Sequence, residues 1–253
     1  MSNAKIFSNI DKKAWVLLPM IVFLLMLMYV GQVSASVVMT GTRVIYPAAQ
    51  KERTLQFANQ ASTPYVVQLW VDEKAQNSSR EEAKSPFVVT PPVFRINAGE
   101  GQVARLMMVD PASVPQDKES VYYLSFSQIP GVKQGEMEMN QLLIMVVNRL
   151  KVFYRPSGLE PVPNNIGNSL EYGWEGKGLK IHNPTPYHAS VSNVEVTVNG
   201  KSYPFSNIDM VAPFSTVVWE APSDLPRNAG KKSIKIGVVN DFGTVVRSEH
   251  VLP

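Results

Sequence analysis

From Ser36 to the end, the chain is punctuated. Short apolar segments alternate with Pro, Gly, Asn and Asp, and none of them sustains a helical period. This punctuation constrains the fold more than any other feature. Short segments bounded in this way, and lacking a helical period, read as strands. SVVMTGTRVIYP is rich in β-branched residues and stops at Pro47, and TLQFANQ alternates with Leu55 and Phe57 on one side. TPYVVQLWVD puts Val67, Leu69 and Val71 on one face and Val66, Gln68 and Trp70 on the other. RINAGEGQVARLMMV breaks at Gly99-Glu100-Gly101, read as a hairpin turn, and ESVYYLSFSQIP alternates up to Pro130. This is the pattern of an antiparallel β-sandwich.

Around Pro156 the texture changes. RPSGLEPVPNN is proline-rich and poor in apolar residues, as a domain boundary would be. A second strand-rich block follows. Val194, Val196 and Val198 recur at period two and run into Asn199-Gly200, a hairpin signal. VAPFSTVVWEAP and KKSIKIGVVNDFGTVVRSEHV supply further strands. The blocks 36–157 and 158–253 each have about the size of one immunoglobulin-like sandwich. No clean sequence repeat relates them. The expected fold is all-β with two such domains.

Residues 1–35 read as an export signal. Lys5, Lys12 and Lys13 form a basic leader, Ala14 to Val30 is an apolar stretch, and Val33 and Ala35 suit a cut before Ser36. The apolar stretch is near the lower limit for crossing a bilayer, so an uncleaved anchor is the alternative. Cleavage removes the three leader lysines and Asp11 and takes the formal charge of the 253-residue chain from +3 to +1. The basic balance is therefore partly a leader property and gives little support for nucleic acid as a partner. With no cysteine, the exported chain has no disulfide and must be stabilised by burial, which 45% hydrophobic residues permit.

Catalytic signals are missing. His182, His188 and His250 do not pair at a zinc-binding spacing and read as surface or strand-edge histidines. There is no Gly-x-Ser-x-Gly and no phosphate-cradling glycine loop. No metal, cofactor or small-molecule substrate is implied, and an exported chain of this kind works through binding rather than as an enzyme.

One stretch breaks the pattern. LLIMVVNRLKVFYRP, Leu142 to Pro156, runs from unbroken apolar residues into Arg149 and Lys151. Taken alone, LLIMVV is a central strand buried on both faces, and the charges are solvated surface cations.

The segments GTRVIYP, TPPVFRI, PQDKESVYYL, LKVFYRP, NPTPYHAS, VAPFS and VNDFG, in this order, resemble periplasmic pilus-assembly chaperones of the PapD type across nearly the whole exported chain. The short, cysteine-free stretch between Pro130 and Leu142 is similar to the family's short-loop branch, which usually serves thicker rod-like pili. The resemblance implies two immunoglobulin-like domains set in an L, with a cleft that binds fimbrial subunits. It also implies donor-strand complementation. The last strand of the first domain fills the groove of a subunit that lacks its own final strand, and the complex goes to an outer-membrane usher. On this reading Leu142, Ile144 and Val146 are the donated set, with one face of the strand on the chaperone's own core and the other on the partner. Arg43 and Lys151 match the family's cleft cations, which hold the subunit's terminal carboxylate. Arg149 matches a less strict basic position, and Glu119, Arg155 and Asp241 match a charged trio bridging the domains. Strict alternation places Lys151 on the face opposite the donated set. A bulge, or a cleft that wraps the strand end, would reconcile the two. Self-capping by a second copy of the free protein is left open by the sequence. The rival from a different class is an exported two-domain adhesin or carbohydrate-binding module, and a third reading is a hydrolase with a dispersed catalytic set.

Overall fold

The computed structural model describes residues 36–73, 83–131, 144–160, 165–226 and 231–252. The expected leader, 1–35, lies outside them. Regular structure among the described residues is strand, apart from short 3-10 turns such as Pro111–Ser113 and Ile166–Asn168.

The first block supplies β1 (Val37–Met39), β2 (Arg43–Pro47), β3 (Arg53–Asn59), β4 (Tyr65–Asp72), β5 (Phe87–Thr90), β6 (Val93–Ile96), β7 (Gly101–Met108), β8 (Ser120–Pro130) and β9 (Val146–Arg155). One sheet has the order β1-β3-β7-β5 and the other β2-β9-β8-β4-β6. Period-two patterning decides which side chains face inward. Val67, Leu69 and Val71 are buried while Val66, Gln68 and Trp70 stay partly exposed, and the inward residues join Leu55, Phe57, Leu106, Leu124 and Val152 in one core.

The second block supplies β10 (Glu171–Glu175), β11 (Gly178–Asn183), β12 (Val191–Val198), β13 (Lys201–Pro204), β14 (Ser215–Glu220), β15 (Lys232–Val239) and β16 (Val245–Leu252). These form the sheets β10-β11-β14 and β13-β12-β15-β16 around a separate core that holds Val194, Val196 and Val198. Asn199 and Gly200 join Val198 to its partner Lys201 with φ values of 49° and 82°, the two-residue turn that suits strand twist.

The Gly99 turn differs from the hairpin expected. It leads from β6 in the five-stranded sheet to β7 in the four-stranded one, so it arches between layers. Asn59 causes this. Its Nδ2 donates to the carbonyls of Thr63 (2.8 Å), Ile96 (3.3 Å) and Asn97 (3.1 Å), and its backbone carbonyl accepts from Gly99 N. A Gly-x-Gly step announces a turn but not which sheet it enters. Asn183 repeats the arrangement in the second sandwich. Its Nδ2 donates to the carbonyls of Tyr187, Val211 and Ala212, and its Oδ1 accepts from Thr185 N as Asn59 Oδ1 accepts from Ala61 N.

Candidate functional site

β9 is two things along its length. From Lys151 to Arg155 it is a central strand, between β2 in parallel and β8 in antiparallel pairing, and Val152, Phe153 and Tyr154 are at most 2% exposed. Towards its start the burial ends. Ile144, Met145, Val146 and Val147 are 67%, 59%, 46% and 55% exposed. The reading as a strand buried on both faces thus describes only the inner half. Leu142 lies outside the described residues.

The N-terminal segment explains the change. β2 pairs with Lys151–Arg155 only, while β1 has crossed to the other sheet and pairs with β3. Gln128 stabilises that crossing. Its side-chain amide accepts from Val37 N (2.8 Å) and donates to Val37 O (2.9 Å), standing in for a strand neighbour. Gln128 is the Cα partner of Val146. Among the described residues, the strand neighbour of β9 from Val146 to Leu150 is therefore β8 alone.

No bulge interrupts this strand, since its pairing with β8 keeps one register from Val146 to Tyr154. Strict alternation therefore holds. Val146 shares a face with Leu150, Val152 and Tyr154, which pack in or against the first core, while Val147, Arg149 and Lys151 take the other face. Val146, of the expected donated set, stands in the row of Asn148, Leu150 and Val152, and Lys151 lies on the opposite face.

Arg43 and Lys151 are Cα partners in the parallel β2–β9 pair, so two half-buried cations stand side by side. Arg43 Nη1 donates to the Val239 carbonyl of the second sandwich (3.1 Å), and the guanidinium carbon lies 5.7 Å from the Phe153 ring centroid. Arg43 Nε is buried without a hydrogen-bond partner among the described residues. Burial pushes the Arg43 pKa below its usual value, against the pull of Asp241 and Glu119. Burial likewise lowers the Lys151 ammonium; Asp209 opposes this and Arg43 adds to it. Lys151 has no ion pair within 4.0 Å among the described residues. Such a pair disfavours its own charge and so favours an anion placed against it. Arg149, on the same face, is engaged differently: it bonds Asp72 and lies 5.1 Å from the Tyr123 ring centroid.

Glu119, Arg155 and Asp241 meet in one cluster. Arg155 donates to Glu119 Oε1 from Nη2 (2.8 Å) and Nε (3.2 Å), and to Asp241 through Nη1 (2.8 Å) and Nη2 (3.0 Å). Burial alone would lower the Arg155 pKa, but the bonds and charges of Asp241 and Glu119 outweigh it and the pKa is raised. Sequence reasoning missed a fourth member. His188 is neither a surface nor a strand-edge histidine; its side chain is 6% exposed, its backbone N–H donates to Glu119 Oε2 (2.9 Å), and its Nδ1 lies 3.0 Å from the same oxygen. The available signal was its place in NPTPYHAS, beside Tyr187, whose ring centroid is 5.0 Å from the Arg155 guanidinium. Among the described residues no group of three or more His, Asp or Glu is placed to hold a metal ion.

Two immunoglobulin-like sandwiches joined by a charge cluster, with an exposed apolar strand start leading to paired cations, define a protein of the strand-binding class. Residues 36–160 match the family model for the pili and flagellar-assembly chaperone PapD N-terminal domain, and 162–250 match that for the pili assembly chaperone PapD C-terminal domain. The chain belongs to this family of pilus-assembly chaperones. It is 35% identical over 218 residues to the probable fimbrial chaperone YadV of Escherichia coli K12, covering 84% of this chain and 88% of the relative. The crystal structure of YadV superposes with a TM-score of 0.74 at 33% identity, over 86% of this chain and all of that one. The SafB chaperone of Salmonella enterica, solved in complex with the SafA pilin, gives a TM-score of 0.70 at 27% identity over 86% of this chain and 96% of that one.

Proposed function

We propose that this protein captures fimbrial subunits in the periplasm by lending them the start of β9, anchors the captured chain end at Arg43 and Lys151, and passes the complex to an outer-membrane usher. The observation that carries this reading is the exposed apolar run Ile144–Val147 leading along one strand to two half-buried cations. A subunit sandwich lacking its last strand exposes a groove with unmatched backbone groups. A lent strand fills the groove with apolar side chains and completes its ladder. Leu142, Ile144 and Val146 are the residues lent. SafA held by SafB in the related structure supports capture of a subunit as the task.

The cations set the register. A slip of one residue would turn every lent side chain to the wrong face, and similar neighbouring side chains resist such slips weakly. A chain end is unique. Arg43 can grip a carboxylate through paired N–H bonds while Lys151 adds charge beside it, at roughly 1.5–3 kcal/mol per charge-assisted bond. The Glu119–Arg155–Asp241 cluster ties the sandwiches together, so that Val239 and its neighbours stay beside Arg43. In this reading residues 1–35 are the export leader, 36–157 form the capturing domain and 158–253 complete the cleft. N-terminal sequencing of the periplasmic protein should then begin at Ser36. Without a subunit, the exposed run invites a second copy of the chain as a cap.

Co-expression with fimbrial subunits, followed by periplasmic pull-down, tests the reading. The unmodified protein yields a one-to-one complex, and the Lys151→Ala variant yields none while keeping its circular dichroism. Capture by Lys151→Ala at the normal level would overturn the anchor.

A further inference from the structure

Asp241 of the VNDFG segment lies in the charge cluster, but the residue after it has no role there. Phe242 is 91% exposed, the most exposed large apolar side chain among the described residues. It sits on a stiff support. Asn240 Oδ1 accepts from Phe242 N (3.1 Å) and Thr244 N (2.9 Å), and two backbone bonds between Asn240 and Gly243 or Thr244 close the turn. The turn is fixed against the first sandwich at several points. Asp241 binds Arg155 and Val239 O accepts from Arg43. Gly243, at φ +83°, comes so close to Thr42 that an added Cβ would be 2.3 Å from its Oγ1. Phe242 is therefore held at the edge of the Arg43–Lys151 site, with its ring in water and its backbone already ordered. A preordered aromatic loses little freedom on binding, which is what makes such a residue an effective anchor.

We propose that Phe242 is a specificity-determining contact that packs on the side chain at or next to the C-terminus of the captured subunit, so that the site reads a carboxylate and a large apolar or aromatic group together. The inference rests on the carboxylate reading of Arg43 and Lys151, which fixes where the chain end lies, and commits to that end as the occupant. Covering the ring removes apolar surface from water, and an aromatic partner adds edge or stacking contact.

The test uses the protein purified from the periplasm and short synthetic peptides of alternating Val and Ser that end in Tyr-Tyr or Gly-Gly, each as free acid and as amide. Phe242→Ala is expected to weaken the Tyr-Tyr acid by about tenfold and leave the Gly-Gly acid within about twofold. Phe242→Leu should keep part of the preference. Melting temperatures should not move, because the ring is exposed. Equal weakening of both peptides, or of neither, overturns the proposal. The acid-to-amide ratio of the unmodified protein is read separately: a ratio of one sinks the carboxylate anchor, whereas a preserved ratio without Tyr dependence sinks Phe242 alone.

Discussion

β9 and β16 are the last strands of the two sandwiches. Each pairs antiparallel with the strand before it, and each sandwich has an asparagine, Asn59 or Asn183, bonding three carbonyls at a corner. Their open surfaces differ. β16 is paired with β15 along all of Val245–Leu252, and its exposed row sets Arg247 and Glu249 between Val245 and Val251. The start of β9 and the residues leading into it are exposed on both faces with Ile144, Met145, Val146 and Val147, and no charge intervenes until Arg149. Charges on an edge discourage pairing with foreign strands, and an apolar edge invites it. One fold thus carries a guarded end and an open one.

The sharpest way to break this comparison is to guard the open end. Ile144→Glu places a carboxylate where an apolar groove must close, at a cost of several kcal/mol, and capture in a periplasmic pull-down should be lost. The free variant should melt normally because Ile144 is 67% exposed; loss of its fold would assign Ile144 to the core. A smaller effect is expected at the tie between the sandwiches. Arg155→Ala leaves Glu119, 2% exposed, without its guanidinium and facing Asp241. The expected loss is about 3 kcal/mol in denaturant unfolding, with a broader small-angle scattering envelope. Unchanged scattering and normal capture would count against the tie.

The shared corners should respond alike. Asn59→Ala and Asn183→Ala each strip bonds from three carbonyls and should each cost about 2 kcal/mol in thermal melts. A large inequality would mean that the corners are alike in geometry but not in energy. The smallest effect belongs to the guarded strand. Val251→Glu, at an 80% exposed position of β16, should change stability by less than about 0.5 kcal/mol and leave capture intact. If it abolished capture, β16 would itself be a binding edge.

The inward rows were legible because alternation is local: Val67, Leu69 and Val71, or Val194, Val196 and Val198, need only their neighbours to be read. The charge trio was legible only through family resemblance, since Glu119, Arg155 and Asp241 are far apart in the chain and nothing in their spacing joins them. What stayed hidden depends on contacts between distant segments. His188 bonds to Glu119, the Gly99 arch is fastened by Asn59, and the exposure of Val146 follows from β1 changing sheets under the hold of Gln128. Patterning likewise left open the face of Lys151, which the unshifted β8–β9 register assigns.

That register has a thermodynamic consequence. Val146 stands in the same row as Val152 and Tyr154, with Asn148 and Leu150 between them, so a subunit that accepts the strand start gains side chains in line with those at the centre of the first sandwich. Host and guest would then meet along one strand, their apolar interiors separated in that row by the single amide of Asn148. Such a pair should lose its structure in a single calorimetric transition, with one heat-capacity step larger than that of the free chaperone.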